Sequence, residues 1–136
     1  MSTRSFIGIH NQDGSISGIY CHWDGYPTHV GSILKEHYSN EDKLKKLIDL
    51  GDISSLGKEI GEKHDWNNPH PDWTVAYARD REDPITIGES YGSLSLANNR
   101  LAIGGYDYMY IFSGDKWIVG SIHFDKWIDL NDILRT

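Results

Sequence analysis

The sequence predicts an α+β fold: one domain, 1–136, in which an antiparallel sheet carries helices packed mainly on one face. Three observations carry that expectation. Hairpin signals stand near both ends of the chain, and amphipathic helical segments fall between them. The 136 residues are 38% hydrophobic and 24% charged, which are values of a globular domain rather than a disordered one. A chain of this size buries roughly two thirds of its extended surface on folding, enough for a core without disulfide or metal staples.

The elements follow in order. Arg4–His10 and Ser15–Trp23 alternate around Asn11-Gln12-Asp13-Gly14, whose Asp-Gly pair is a hairpin turn signal. Pro27 then opens a helix, because proline is tolerated in a first turn. Val30, Ile33, Leu34, His37 and Tyr38 fall on one face of it. Ser39 or Asn40 caps a second helix, with Glu41 and Asp42 in its first turn and Leu44, Leu47 and Ile48 on its apolar side; Gly51 stops it. Ile53, Leu56 and Ile60 are spaced for a third short helical turn ending at Gly61. Residues 63–72 combine His64-Asp65-Trp66, Asn67-Asn68-Pro69 and His70-Pro71, a run that fits no regular element. Trp73–Arg79 reads as a strand, Asp80–Glu89 as a loop, and Tyr91–Ile103 as a helix with Leu94, Ala97 and Leu101 on one side. Tyr106–Phe112 and Lys116–Ile122 form a second hairpin around Ser113-Gly114-Asp115, and Trp127, Leu130 and Leu134 mark a terminal helix.

Charge and cysteine content exclude whole classes. With 20 Asp+Glu against 13 Lys+Arg the chain has a net charge of −7, which argues against direct nucleic-acid or anionic-membrane binding. Cys21 is the single cysteine, so neither an internal disulfide nor a Cys-rich zinc knuckle is available. No apolar run reaches the length of a signal peptide or a membrane span, which points to the cytoplasm.

The reactive chemistry concentrates in Ile19-Tyr20-Cys21-His22-Trp23-Asp24-Gly25-Tyr26-Pro27. Strand alternation turns Ile19, Cys21 and Trp23 to one face, read as core, and Tyr20, His22 and Asp24 to the other, read as surface or site. The His22/Asp24 pair is of the kind in which a carboxylate fixes an imidazole tautomer. His64/Asp65 is a second such pair, followed by His70. Convergence of the two pairs would suit a metal or a reacting phosphate, yet neither helical zinc spacing nor a cysteine knuckle is present, so no metal or cofactor is assigned. His29 and His37, eight residues apart, return to a similar helical face. Arg79 and Arg81 would share a face of a continuing strand, where two guanidiniums grip carboxylate or phosphate; a surface ion-pair ladder is the plainer alternative. No phosphate-loop, dinucleotide, nucleophile-elbow or metalloprotease motif occurs.

Aromatic residues with a polar edge, 5 Trp and 8 Tyr against 3 Phe, are the other signal. Tyr106, Tyr108, Tyr110 and Phe112 line one face of the late hairpin at period two, opposite Asp107, Met109 and Ile111. Both faces of this hairpin are partly apolar. One cover is the helices; for the other a partner protein, a second copy of the chain in a homo-oligomer or a flat ligand is open, with aromatic pairing across strands inside the one domain as the plainer alternative.

The strings Ile19–Pro27 (IYCHWDGYP), Leu34–Tyr38 (LKEHY), Leu47–Asp65 (LIDLGDISSLGKEIGEKHD) and Val75–Arg81 (VAYARDR), with the tyrosine hairpin ending at Lys116-Trp117, resemble a family of small phage and prophage proteins. The resemblance carries over no catalytic residue. It implies a soluble accessory protein made in the cytoplasm of a bacterial host. The leading expectation is a non-enzymatic counter-defence inhibitor, of the anti-CRISPR kind, that binds and blocks a host protein. Its surface would comprise Tyr20, His22, Trp23, Asp24, Tyr26, His64, Asp65, Arg79, Arg81, Tyr106, Tyr108 and Tyr110. The alternatives are a sponge for a small nucleotide signal, with Arg79 and Arg81 on phosphate and an aromatic on the base, and a metal-dependent enzyme using His22, Asp24, His64 and Asp65.

Overall fold

The first hairpin sets the frame of the protein, whose computed structural model describes residues 3–85 and 88–134. Strand β1 (Ser5–His10) runs antiparallel to β2 (Ile16–Cys21), with Ser5 opposite Cys21 and His10 opposite Ile16. The late hairpin, β6 (Tyr108–Ser113) with β7 (Lys116–Gly120), lies beside β1, and β6 runs parallel to it with Ile7 opposite Tyr110. β8 (Ile128–Asp129) extends that side antiparallel to β7. On the other side, β3 (Ile53–Ser55) pairs parallel with the end of β2, and β4 (Val75–Ala76) pairs antiparallel with β3. β5 (Glu89–Tyr91) takes the remaining half of the same β2 edge, opposite Ile16–Gly18. The sheet is thus mostly antiparallel, in the order β4-β3-β2-β1-β6-β7-β8.

Helices cover its two faces unequally. A π-helical turn (Pro27–Gly31) runs into α1 (Ser32–His37), and α2 (Glu41–Asp49) follows. With α5 (Leu130–Leu134) they enclose Ile7, Ile19, Cys21, Tyr110 and Val119 of the sheet's first face. α4 (Leu94–Ile103) alone covers the second face, where Ala97 and Leu101 meet Phe6, Met109 and Ile111. This is the α+β arrangement that the patterning predicts. The second helix also starts and stops on its predicted residues. The Asn40 side chain accepts the Lys43 amide at 3.1 Å, and Gly51 follows the helix with φ +78°.

Four segments depart from the sequence expectation, each for an identifiable reason. Ile53–Ile60 is not a third helical turn. Ile53, Ser54 and Leu56 are all buried, as in a strand covered on both faces, a pattern that apolar periodicity does not separate from a helix. Trp73–Arg79 keeps only Val75–Ala76 as strand. The Asp80 carboxylate accepts the Ala76 amide at 2.8 Å and the chain turns into α3 (Tyr77–Arg81). Asp80 and Arg81 therefore belong to a helix rather than a loop, Glu89 to β5, and residues 86–87 lie outside the described residues. The fourth helix starts at Leu94, not Tyr91, where the Ser93 hydroxyl accepts the Leu96 amide at 3.2 Å.

One close approach holds the first hairpin together. Gly8 and Gly18 are cross-strand neighbours, and the Phe6 ring lies across both. A Cβ on Gly18 would stand 2.5 Å from that ring and 2.3 Å from the Ile7 carbonyl oxygen. The substitution Gly18→Ala is therefore expected to lower stability by about 1–3 kcal/mol, the usual range for an overfilled core, as read from urea denaturation. An unchanged midpoint would show that the strands part at no cost.

Candidate functional site

β2 does not end at Cys21 as a hydrogen-bonded strand. His22 N–H donates to the Ile53 carbonyl at 3.1 Å and Trp23 N–H to the Ser54 carbonyl at 3.0 Å. Tyr20 and His22 consequently share the second face, as alternation predicts, and the Tyr20 hydroxyl and His22 Nδ1 share a hydrogen bond of 2.5 Å. The Tyr20 hydroxyl is pushed above its ordinary pKa by burial, against the opposing charge of Arg4. On the first face, burial raises the Cys21 thiol to about 12, so it behaves as a small buried hydrophobe.

Beyond Trp23 the backbone turns sharply. Asp24 adopts a left-handed conformation, φ +57°, which aspartate tolerates better than most residues. Gly25 N–H then donates to the Thr3 carbonyl at 2.9 Å, and the buried Tyr110 hydroxyl donates to the Gly25 carbonyl at 2.6 Å. Only glycine fits at that position, because a Cβ would meet the Thr3 carbonyl oxygen at 2.7 Å and the Ser5 side chain at 2.8 Å. The turn throws Trp23 outward. It is 45% exposed, not part of the core that strand alternation predicts, and its ring meets His22 edge-on at 4.5 Å. Tyr26 is 40% exposed and leans on His29.

A groove of about 350 Å³ opens beside this turn. Its floor is Ile33, Leu56 and Val75, and the irregular segment Pro69–Trp73 forms the opposite wall, with His70 stacked on Trp73 at 4.4 Å. Asp24, His29 and Lys58 also line it, with Ser55 and Gly57, and Asp72 lies in the Pro69–Trp73 wall. Sequence patterning misses Asp72 and Trp73 as site residues, gives His70 only a passing place, and offers His29 only as one of two histidines on a helix face. The available signal is Pro69-His70-Pro71, where two prolines hold a histidine outside regular structure. Of the two helix histidines only His29 reaches the groove, since the π-helical turn alters the angular step; His37 stands 3.8 Å from the Glu36 carboxylate.

The remaining predicted residues fall elsewhere. Arg79 is part of a buried clasp: Nη1 donates to the Ile60 carbonyl at 2.8 Å, Nη2 to the Thr74 carbonyl at 2.7 Å, and Nε to Asp80 at 2.9 Å. It has no fork left for a phosphate. Arg81 is exposed, paired with Asp83 and seated against the rings of Trp66 and Tyr77, so the two arginines do not share a strand face. His64 Nδ1–H donates to the Glu62 carbonyl at 2.8 Å and lies 3.5 Å from Asp80, while the Asp65 carboxylate accepts the Asn67 amide in a local turn. Tyr108 and Tyr110 stack on the first face as predicted. Tyr106 does not join them: both Asp107 N–H and Tyr108 N–H aim at the Arg4 carbonyl, which breaks the period-two register. Tyr106 instead crosses to the second face, bonds Glu89 at 3.0 Å and meets Tyr20 at 6.2 Å.

Among the described residues no three His, Cys, Asp or Glu side chains form a group that could hold a metal ion, and the two His/Asp pairs do not assemble one. No helix there is long and apolar enough to cross a membrane. A larger cavity, about 580 Å³, lies at the hairpin-tip end of the sheet around His10, Gln12 and Lys45, and none of the residues assigned to the expected binding surface lines it. Comparison with protein-family models, curated proteins and solved structures finds no match to this chain.

Two outcomes follow. Burial works to raise the Asp80 carboxyl, but the hydrogen bonds from Arg79 and the Ala76 amide, with the Arg79 charge, outweigh it and hold the group below the ordinary carboxylate range. Its contribution is complete above the unfolded value, about 3.9, and is lost as pH falls through the lower folded value. Asp80→Asn should therefore cost about 2 kcal/mol at pH 7, because the largely but not fully buried Arg79 loses its counter-charge, and should flatten the acid limb of the stability curve. Urea denaturation at pH 7 and below pH 4 measures both effects. For Cys21, a thiol reagent at neutral pH should label the folded protein no faster than it unfolds; rapid labelling would contradict the burial.

Proposed function

We propose that the protein is a phage accessory protein of the counter-defence, anti-CRISPR-like kind, which binds and blocks a host protein in the bacterial cytoplasm without chemistry of its own. The observation that carries this reading is the pair Trp23 and Tyr26, 45% and 40% exposed on a turn whose backbone is fixed. Tryptophan and tyrosine dominate the energetics of protein interfaces, and a rigid turn loses little conformational freedom when they are covered. The groove beside them offers a concave complement with an apolar floor. The resemblance of the IYCHWDGYP region to phage proteins supplies the biological setting, and the net charge of −7 favours a protein partner over nucleic acid.

Affinity capture from host cells expressing the protein tests the reading. One host protein should be recovered in stoichiometric amount. The double variant Trp23→Ala/Tyr26→Ala should weaken that complex by at least about 30-fold, corresponding to about 2 kcal/mol, with an unchanged thermal midpoint. Recovery of no stoichiometric partner by the unaltered protein would sink the reading.

A further inference from the structure

We infer that the groove beside the Asp24 turn receives an arginine side chain presented by the bound partner. This inference rests on the protein-binding reading and names the chemistry of its contact. Several surface carboxylates are already taken by cations: Asp83 by Arg81, Glu82 by Lys63, Glu59 by Lys43, Glu41 by Lys45 and Glu89 by Arg100. Asp24 and Asp72 line the same groove, and among the described residues neither carboxylate has an ion pair or hydrogen bond.

The same groove is lined by the apolar Ile33, Leu56 and Val75 and by the His70–Trp73 stack, rings 4.4 Å apart and inclined by 15°. An arginine side chain matches each part. Its methylene stem lies along apolar surface, its planar guanidinium packs on the outer face of His70, since the Trp73 ring is already packed by His70, Gly61 and His64, and its fork of N–H donors grips a carboxylate through two parallel bonds. A cavity of about 350 Å³ is at the small end of ligand pockets, which run to about 1,000 Å³, and so suits one side chain rather than a helix. Lysine offers a point charge with no flat face and fits the stacked wall less well. Lys58 stands on the same rim and competes for the carboxylates, so it weakens a cationic guest and would strengthen an anionic one.

The test titrates the purified protein with N-acetyl-arginine methylamide, its lysine counterpart, and inorganic phosphate, following backbone amide and Trp indole resonances. The arginine probe should give saturable shifts at Asp24, His70 and Trp73, several-fold tighter than the lysine probe. Asp24→Asn/Asp72→Asn should abolish saturation, and asparagine keeps the left-handed turn at position 24, so folding is retained. Lys58→Ala should tighten the arginine probe at least two-fold. No saturation by arginine, equal response to lysine, or binding of phosphate weakened by Lys58→Ala would each overturn the assignment. If any of these occurs while a host protein is still captured in a Trp23- and Tyr26-dependent way, the arginine assignment fails alone. Loss of that capture would fail the protein-binding reading itself.

Discussion

The buried pairing of Arg79 with Asp80 is the interaction on which the working side of the molecule depends. The chain between Ser55 and Val75 contains no regular element, so its shape is set by what grips it. Arg79 reaches the carbonyls of Ile60 and Thr74, while Asp80 accepts the amides of His64 and Ala76. Tyr38 adds a second grip, its hydroxyl donating to the Gly57 carbonyl at 2.8 Å, and the Thr74 hydroxyl accepts the Gly57 amide. Together these ties hold the segment at its start, middle and end. The Pro69–Trp73 wall of the groove is thereby supported from behind, although it is itself nearly all loop. A buried ion pair is seldom a net source of stability compared with apolar packing, but losing one partner is severe. Here the pair is better understood as specifying one path for a long irregular segment.

The surplus of tyrosine has a mainly structural explanation. Tyr38, Tyr106 and Tyr110 are buried rings, and each hydroxyl reaches a polar group outside the sheet's own ladder. Tyr110 donates to the Gly25 carbonyl, Tyr38 to the Gly57 carbonyl and Tyr106 to the Glu89 carboxylate. A phenylalanine would fill the same volume and leave those acceptors without a donor. The tyrosines therefore tie loops to the core, and the aromatic residues left over for the surface are few. Trp23 and Tyr26 stand out because their neighbours have been absorbed into structure.

How much of this was legible in the sequence follows the physics of each signal. The two hairpins, the Asn40-capped helix and the helix around Leu34 were readable, because turn chemistry, caps and periodicity are local. Tyr20 and His22 were correctly placed on one face for the same reason. Ile53–Ser55 was not, since a short apolar segment buried on both sides has no period to read. Tyr106 was misplaced because a register break at the Arg4 carbonyl is a property of two distant strands. Arg79 looked like a ligand-gripping residue and is a structural one, a distinction that depends on carbonyls nineteen and five residues away in sequence. The groove was invisible for a similar reason: Asp24 and Asp72 come to line one groove only after β2, β3 and the Arg79 clasp are in place.

Exposure at the Trp23–Tyr26 turn does not arise from looseness. Every backbone constraint there points inward: Trp23 N–H to Ser54, Gly25 N–H to Thr3, the Gly25 carbonyl to the Tyr110 hydroxyl, and Val30 N–H to the Asp24 carbonyl at 3.3 Å. With the main chain so occupied, Asp24 is held in a conformation that most residues avoid, and the side chains on either side project outward. A flexible loop carrying the same residues would bury Trp23 against itself and would lose conformational entropy on meeting a partner. This turn has already lost that entropy through folding, because its contacts belong to the core of the sheet. The same hydrogen bonds that stabilise the end of β2 therefore keep two aromatic rings in water and set them beside the groove, which joins the architecture of the sheet to the surface available for binding.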